Sequence, residues 1–363
     1  MKVAVVHNTN PAGVVNRYGQ QTPEHYNPKT IQLVVDSLAA AGQQVASIEG
    51  DKHLFAALES FMPPDAEGHP TGMVFNMAYG IQGENRYTHL PAMLELAGVP
   101  YTGSTPMGHA LALDKVVTKV LALEAGVPTP AFRVMRSGDE PVEGLRFPLI
   151  VKPRHESTSF GLALVETREQ LQQAVQRIVL EFEQDALVEE YIDGREVTIG
   201  LLGSEEVEFL PAVELDFTGR DLRMNTLDDK SHRRHDEPGK ICPAPLEGDL
   251  LARLQQIALA TFRACHLRDY ARVDLRLDRQ GEPYMLEVNS MASLSASGSF
   301  VTGAMAAGYT FETLVGRICD LAWRRVARQQ ARDAVALELW TAQRAAEAAR
   351  AAEVLVSAGP APA

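Results

Sequence analysis

The chain has 363 residues, 45% hydrophobic and 22% charged, which excludes a disordered or collagen-like polypeptide and suits two or three domains. Lys plus Arg is 34 against 47 for Asp plus Glu, a formal net charge of −13. A field of that sign repels phosphate backbones, so we expect no nucleic-acid partner beyond a local basic pocket around one nucleotide. Cys242, Cys265 and Cys319 are far apart with no C-x-x-C pair, arguing against a disulfide scaffold or zinc site and for a reducing compartment. The apolar run after Met1 is too short for a signal-peptide core, and no stretch of about 18 apolar residues occurs. A cytoplasmic protein without a membrane partner is expected.

Residues 2–6 read as a short buried strand, and 30–41 as a helix with Ile31, Val34, Val35 and Leu38 at helical spacing and Gly42 as terminator. Residues 72–76 read as a strand, 90–96 as a helix, and 99–103 as strand and turn. This alternation predicts a doubly wound parallel sheet over 1–108. A helix over 114–125, a strand over 147–152, an amphipathic helix over 169–183 and a strand over 186–191 make up a second unit, 109–195. Strand-rich stretches at 197–202, 206–214 and 272–289 surround a helix at 250–265 in a third, 196–326. The expected class is α/β followed by α+β. An Ala-rich helical tail over 327–363 reads as a surface or dimer-contact helix and permits a homodimer.

Arg272-Val-Asp-Leu-Arg-Leu-Asp278 and Tyr284-Met-Leu-Glu-Val-Asn289 form the strongest signal. Alternation puts Arg272, Asp274 and Arg276 on one face of the first strand, and Met285, Glu287 and Asn289 on the corresponding face of the second. Tyr284, Leu286 and Val288 fall on the apolar side. Matching the apolar faces sets Asp274 opposite Glu287 and Arg272 opposite Asn289. Two facing carboxylates repel, and a divalent cation removes that cost. Carboxylates plus an amide oxygen are hard ligands of the kind Mg²⁺ accepts beside phosphates. An ordinary solvated hairpin face is the alternative.

Lys152 closes a buried strand and opens the small-residue loop Pro153-Arg-His-Glu-Ser-Thr-Ser-Phe-Gly161, a combination that suits phosphate but lacks Walker A spacing. A flexible surface loop would look similar. Ala186-Leu-Val-Glu-Glu-Tyr-Ile-Asp-Gly-Arg-Glu196 is a strand and turn whose acidic edge can read an adenine amino group or ribose hydroxyls, or can guard a sheet edge.

These segments, in this order, resemble the ATP-grasp superfamily and, within it, the D-alanine–D-alanine ligases. Tyr79-Gly-Ile-Gln-Gly-Glu-Asn85, Leu94-Glu-Leu-Ala-Gly-Val-Pro-Tyr-Thr-Gly-Ser104, Asp114-Lys115 and Ile241-Cys-Pro-Ala244 extend the likeness to about residue 326. The resemblance implies a three-domain ATP-grasp architecture, a carboxylate–amine ligase, and small amino-acid substrates. ATP and two Mg²⁺ ions, with Mn²⁺ as an alternative, are the implied cofactors. It implies that Lys115 and Lys152 contact the phosphates, Glu189 and the Tyr191 backbone hold adenine, and Glu196 holds the ribose. Asp274, Glu287 and Asn289 would ligate the metal, Arg272 and the Ser293 N–H the oxyanion, and Lys230 would cover the γ-phosphate. Glu156 and Thr158 would approach the amino-acid substrate.

The departures fall on the substrate side. Asn8-Thr-Asn-Pro-Ala-Gly13 replaces the family's Gly-Gly turn, which leaves Glu24 as candidate for the carboxylate that holds the substrate amine, with a helix-start carboxylate as its alternative. Tyr79 stands where the family has His, and Ser290-Met-Ala-Ser-Leu-Ser-Ala-Ser-Gly-Ser299 lacks the family's Pro-Gly. The basic loop 228–235, with Arg233 and Arg234, suits a solvated loop or an acidic substrate. The rival readings are an ATP-grasp enzyme activating a non-amino-acid carboxylate, and a nucleotide-binding regulatory protein without turnover.

Overall fold

The computed structural model describes residues 1–22, 24–157, 159–220, 224 and 238–357, as backbone only at 349 and from 351 onward. It opens with β1 (Lys2–His7), α1 (Pro28–Ala40), β2 (Gln44–Glu49), α2 (Leu54–Phe61), β3 (Gly72–Met77), α3 (His89–Leu96) and α4 (Pro106–Leu113). The strands form a parallel sheet in the order β2-β1-β3. Val3, Ala4, Val5 and Val6 have no exposure, as expected of a parallel strand covered on both faces. Asn27 caps α1 by accepting from the Lys29 N–H at 2.9 Å, and Pro28 occupies the first turn, where its missing donor costs nothing. The expected strand at 99–103 is reduced to a single parallel bridge from Tyr101 to Val74. The Asn76 N–H turns to Thr102 Oγ1 at 2.9 Å, so the ladder stops there.

After α5 (Lys115–Glu124) come β4 (Phe132–Met135), β5 (Leu149–Pro153), β6 (Ala163–Val165), α6 (Arg168–Phe182) and β7 (Ala186–Glu190). They build an antiparallel sheet in the order β4-β7-β5-β6. Leu171, Val175, Ile178 and Phe182 of α6 pack on it. The third sheet contains β8 (Gly194–Gly203), β9 (Val207–Phe209), β10 (Val213–Asp216), β11 (Gly239–Ile241), β12 (Tyr270–Asp278) and β13 (Pro283–Asn289). Its order is β11-β10-β8-β12-β13, with β9 beside β8. The stretch expected as strand over 206–214 divides into β9 and β10. α7 (Gly248–Ala264) buries Leu254, Ile257, Ala258 and Phe262 in the core of this sheet.

α8 (Ser299–Ala306) and α9 (Phe311–Ser357) are the last elements among the described residues. The helix expected from 327 begins sixteen residues earlier, because Leu314, Val315, Ile318, Cys319 and Ala322 are buried in the core that α1 shares.

In the β12–β13 hairpin, Arg272 faces Asn289 and Asp274 faces Glu287, the register that alternation predicts. One expectation is corrected. Between Asp274 and Leu275 the register slips, so that Leu275 faces Met285 and Arg276 faces Tyr284. Leu286 is the extra residue of a β-bulge. Met285 and Val288 therefore enter the core, while Leu286 turns to the cleft described next.

Candidate active site

A cleft runs between the central and third sheets. Ile150, Phe160, Leu162 and Leu286 supply its apolar wall, and Lys115, Lys152 and Glu189 its charged end. Lys115 opens α5, whose N-cap Asp114 accepts from the Val116 and Val117 N–H groups and is gripped by Arg154 at 2.6 Å. Lys115 Nζ donates to the Glu156 carbonyl. Gly161, at φ +78, closes the loop after β5; a Cβ there would meet Phe182 and Pro153 at 2.7 Å, so only glycine fits.

Glu189 is shared by two lysines. Lys152 Nζ lies 2.5 Å from Oε1, and Lys119 Nζ lies 2.8 Å from Oε2. Burial pushes the Glu189 pKa up, but the two ammonium groups outweigh burial and hold it below the usual carboxylate range. Burial lowers Lys119 by more than Glu189 returns. For Lys152 the balance reverses: burial opposes the charge, and Glu189 with Glu287 raises the pKa overall. Lys115 is pulled down to about 8 by burial, partly offset by Glu287. Buried ammonium groups beside an apolar wall suit a polyanion carrying a flat base. The Tyr191 N–H donates to Pro148 O at 3.1 Å, and its ring lies 4.9 Å from the Arg276 guanidinium.

A second cavity lies between the first and third sheets, lined by Glu24, Tyr79 and Tyr87 on one side and Arg272, Asn289 and Ser293 on the other. Glu24 precedes the α1 cap, so it is not a helix-start carboxylate. Tyr87 Oη donates to Glu24 Oε2 at 2.6 Å, Ser157 Oγ donates to the same oxygen, and Arg86 Nη2 stands 3.5 Å away. Arg86 is 2% exposed and also holds Glu156 at 3.2 Å, tying the wall of one cavity to that of the other.

The two cavities meet at Glu196, Asp274 and Glu287, which line both. Arg272 forks onto Asp274 at 2.6 and 2.7 Å, and Asn289 Nδ2 donates to Asp274 Oδ2 at 3.0 Å. The repulsion of Asp274 and Glu287 is thus relieved in part by a guanidinium, where the sequence suggested a cation alone. Burial disfavours the Arg272 charge, yet Asp274 overcomes it and drives its pKa upward. Asn289 donates its amide N–H to Asp274, which leaves its side-chain carbonyl oxygen to ligate a cation. Asp274, Glu287 and that oxygen are hard ligands on one sheet face, a set that fits Mg²⁺.

Lys230 and Thr158, like Arg233 and Arg234, lie outside the described residues. The other expected residues assemble around the two cavities. The sequence reading missed Lys119, Arg86, Tyr87, Ser157 and Leu286. Lys119 had a signal, since it stands one turn after Lys115 on the same helix face. Arg86 had none.

Fold and site together define an ATP-grasp ligase. Residues 121–320 match the family model for the D-Ala–D-Ala ligase C-terminus. A D-alanine–D-alanine ligase of Alcanivorax borkumensis is 38% identical over 230 residues, covering 63% of this chain and 71% of that one. One from Moorella thermoacetica is 29% identical over 318 residues, covering 84% and 96%. An uncharacterized protein of Sinorhizobium fredii, y4sG, is 52% identical over 329 residues, covering 90% and 98%. The crystal structure of the Bacillus anthracis D-alanine–D-alanine ligase complexed with ATP shares the fold, with a TM-score of 0.71 at 20% identity over 91% of this chain and 99% of that one. The chain belongs to the D-alanine–D-alanine ligase family. Among the described residues, no helix is long and apolar enough to cross a membrane.

Proposed function

We propose that the protein is an ATP- and Mg²⁺-dependent ligase that joins small amino acids through an acylphosphate, in a cytoplasmic setting. The observation that carries this reading is the shared wall of Glu196, Asp274 and Glu287, where a phosphate chain from one cavity meets a carboxylate from the other. Lys115 and Lys152 hold the phosphates as point charges, Glu196 takes the ribose, and Ile150 and Leu286 flank the base. Glu189 and the Tyr191 backbone, both in the wall of the same cleft, hold the adenine, as the family likeness implies. Bound Mg²⁺ at Asp274, Glu287 and Asn289 supplies charge neutralisation on the transferring phosphate.

A donor carboxylate attacks the γ-phosphate and gives acylphosphate and ADP. An amine then attacks the acyl carbon, and phosphate departs with the C–O bonding pair and takes up the proton that the amine loses, while Arg272 and the Ser293 N–H stabilise the oxyanion. Glu24, fixed by Tyr87, Ser157 and Arg86, faces the donor amine. Glu156 stays at the donor side of the phosphate loop. Lys230 over the γ-phosphate and Thr158 beside the donor rest on the family likeness. Water must be kept out or the acylphosphate hydrolyses. Tyr79 and the serine-rich segment after Asn289 depart from the family at the substrate end, so small amino acids, rather than two D-alanines alone, are the substrate class.

The test is phosphate release from Mg-ATP with D- and L-amino acids, singly and in pairs, with products weighed by mass spectrometry. A condensed product that needs two amino acids establishes the ligase. ATP turnover with a carboxylate that is not an amino acid would overturn the substrate class. Glu287→Gln is expected to lower turnover by about a hundredfold or more, as loss of a charge-stabilising group does; unchanged turnover would remove the metal assignment.

A further inference from the structure

The segment between β13 and α8 carries Ser293 into the substrate cavity. Among the described residues the Ser293 N–H donates to no partner, which leaves it available to a ligand. Holding such a loop in one conformation requires anchors, because Ser290 to Ser297 contain neither Pro nor Gly. One anchor lies at its start, where Ser290 Oγ meets the buried His109 Nδ1 at 2.8 Å. At its end the Gly298 N–H donates to Ser295 O at 2.7 Å. The third lies beside Ser293 and comes from the first domain: the Leu294 N–H donates to Tyr26 Oη at 3.3 Å. Leu294 has no exposure, so no water replaces that acceptor.

Tyr26 is itself fixed. It is 5% exposed and stacks on Tyr79 with ring centroids 4.9 Å apart and planes at 16°. Tyr79 in turn packs against Tyr87, whose hydroxyl holds Glu24. A phenol stacked on one ring that packs in turn against a second is a stiff support, and its hydroxyl reaches across the domain boundary to the peptide next to Ser293.

We propose that Tyr26 is a positioning residue for the oxyanion site: by holding the Leu294 N–H it sets the direction of the Ser293 N–H. This rests on the ligase reading. It makes a split prediction, because phosphoryl transfer to the donor creates no tetrahedral carbon and amine attack does. Tyr26→Phe removes one hydroxyl and keeps the stack. In the full-length protein it is expected to lower kcat for condensation by about tenfold or more, part of the ~10²–10³ that a lost oxyanion donor costs. KM values should change little, as for an interaction made only in the transition state. Acylphosphate formation, followed by positional isotope exchange in γ-phosphate-labelled ATP, should stay within about twofold of wild type.

Exchange of the Leu294 amide, read by hydrogen–deuterium exchange, should quicken in the same variant. Equal losses in both chemical steps, or no loss in either, would overturn the proposal, as would unchanged Leu294 exchange. Wild-type protein that catalyses neither step would refute the ligase reading and with it the catalytic part of this one. Leu294 exchange would then decide the anchoring alone.

Discussion

His109 sits on α4 with no exposure, its Nδ1 2.8 Å from Ser290 Oγ and its ring edge-on to Tyr87. Burial, reinforced by Arg268, pushes its pKa from 6.5 down to about 3. The native protein keeps this imidazole neutral in a range where the unfolded chain protonates it. The unfolded state therefore binds more protons between about 6.5 and 3, and stability is lost as pH falls through that window. The slope contributed by this one group approaches about 1.4 kcal/mol per pH unit. Denaturant midpoints of wild type and His109→Gln at pH 7.5, 5.5 and 4.5 check it. The variant starts lower and falls less steeply; parallel slopes would assign the acid sensitivity elsewhere. Single residues were legible from the sequence where a strand or motif fixed them, as with Lys152 and Asp274. Arg86 and Tyr26 were not legible, because their partners come from segments 70 and 268 positions distant.

At the scale of elements, the β12–β13 hairpin shows both the reach and the limit of pattern reading. Alternation placed Asp274 against Glu287 correctly, since a polar face and an apolar face leave one register there. Toward the turn, Tyr284-Met285-Leu286 is an unbroken apolar run, and alternation has no polar residue by which to choose. Packing chose: Met285 has no exposure, and the bulge sends Leu286 to the cleft between the central and third sheets. The two leucine-sized neighbours should then respond differently to truncation. Met285→Ala should cost about 2–5 kcal/mol of stability through lost burial and a cavity. Leu286→Ala should cost little stability and raise KM for ATP about tenfold, the equivalent of ~1.4 kcal/mol of lost contact. Thermal melts and ATP saturation curves on the two variants separate them. The reverse pattern would restore the unbulged strand. α1, α6 and β12 were legible through their hydrophobic period and β1 and β3 as short apolar runs, whereas β2, α2 and β4 were not read from the sequence, and the one-bridge segment at Tyr101 was decided by the Thr102 hydroxyl taking a backbone donor.

Across the whole molecule, Asp269 is the point where the first domain, the start of β12 and α9 converge. It has no exposure and a left-handed φ of +67, a strained conformation for a residue with a Cβ. Its carboxylate accepts from the Gly103 N–H at 2.8 Å and from Arg325 Nε and Nη2 at 3.0 and 2.9 Å. Arg325 Nη2 also donates to Tyr101 O at 2.9 Å, so α9 bolts the first domain to the start of β12. Arg325→Ala leaves a buried carboxylate without its counter-charge, at a cost of about 3–5 kcal/mol. Beyond Arg325 the helix has a different character. From 327 to 348 every described side chain is exposed, and Arg328 and Arg332 reach only the exposed Glu205. Surface pairs of this kind contribute at most about 1 kcal/mol. A chain ending after residue 334 should accordingly melt within about 2 °C of the full protein, while Arg325→Ala in the full chain should lower the melting temperature by roughly 5 °C or more. A large loss on truncation would mean that the distal helix has a stabilising partner, most simply a second copy of the chain. Sedimentation velocity on both lengths identifies that case, since the full chain would then sediment as a dimer and the shortened one as a monomer.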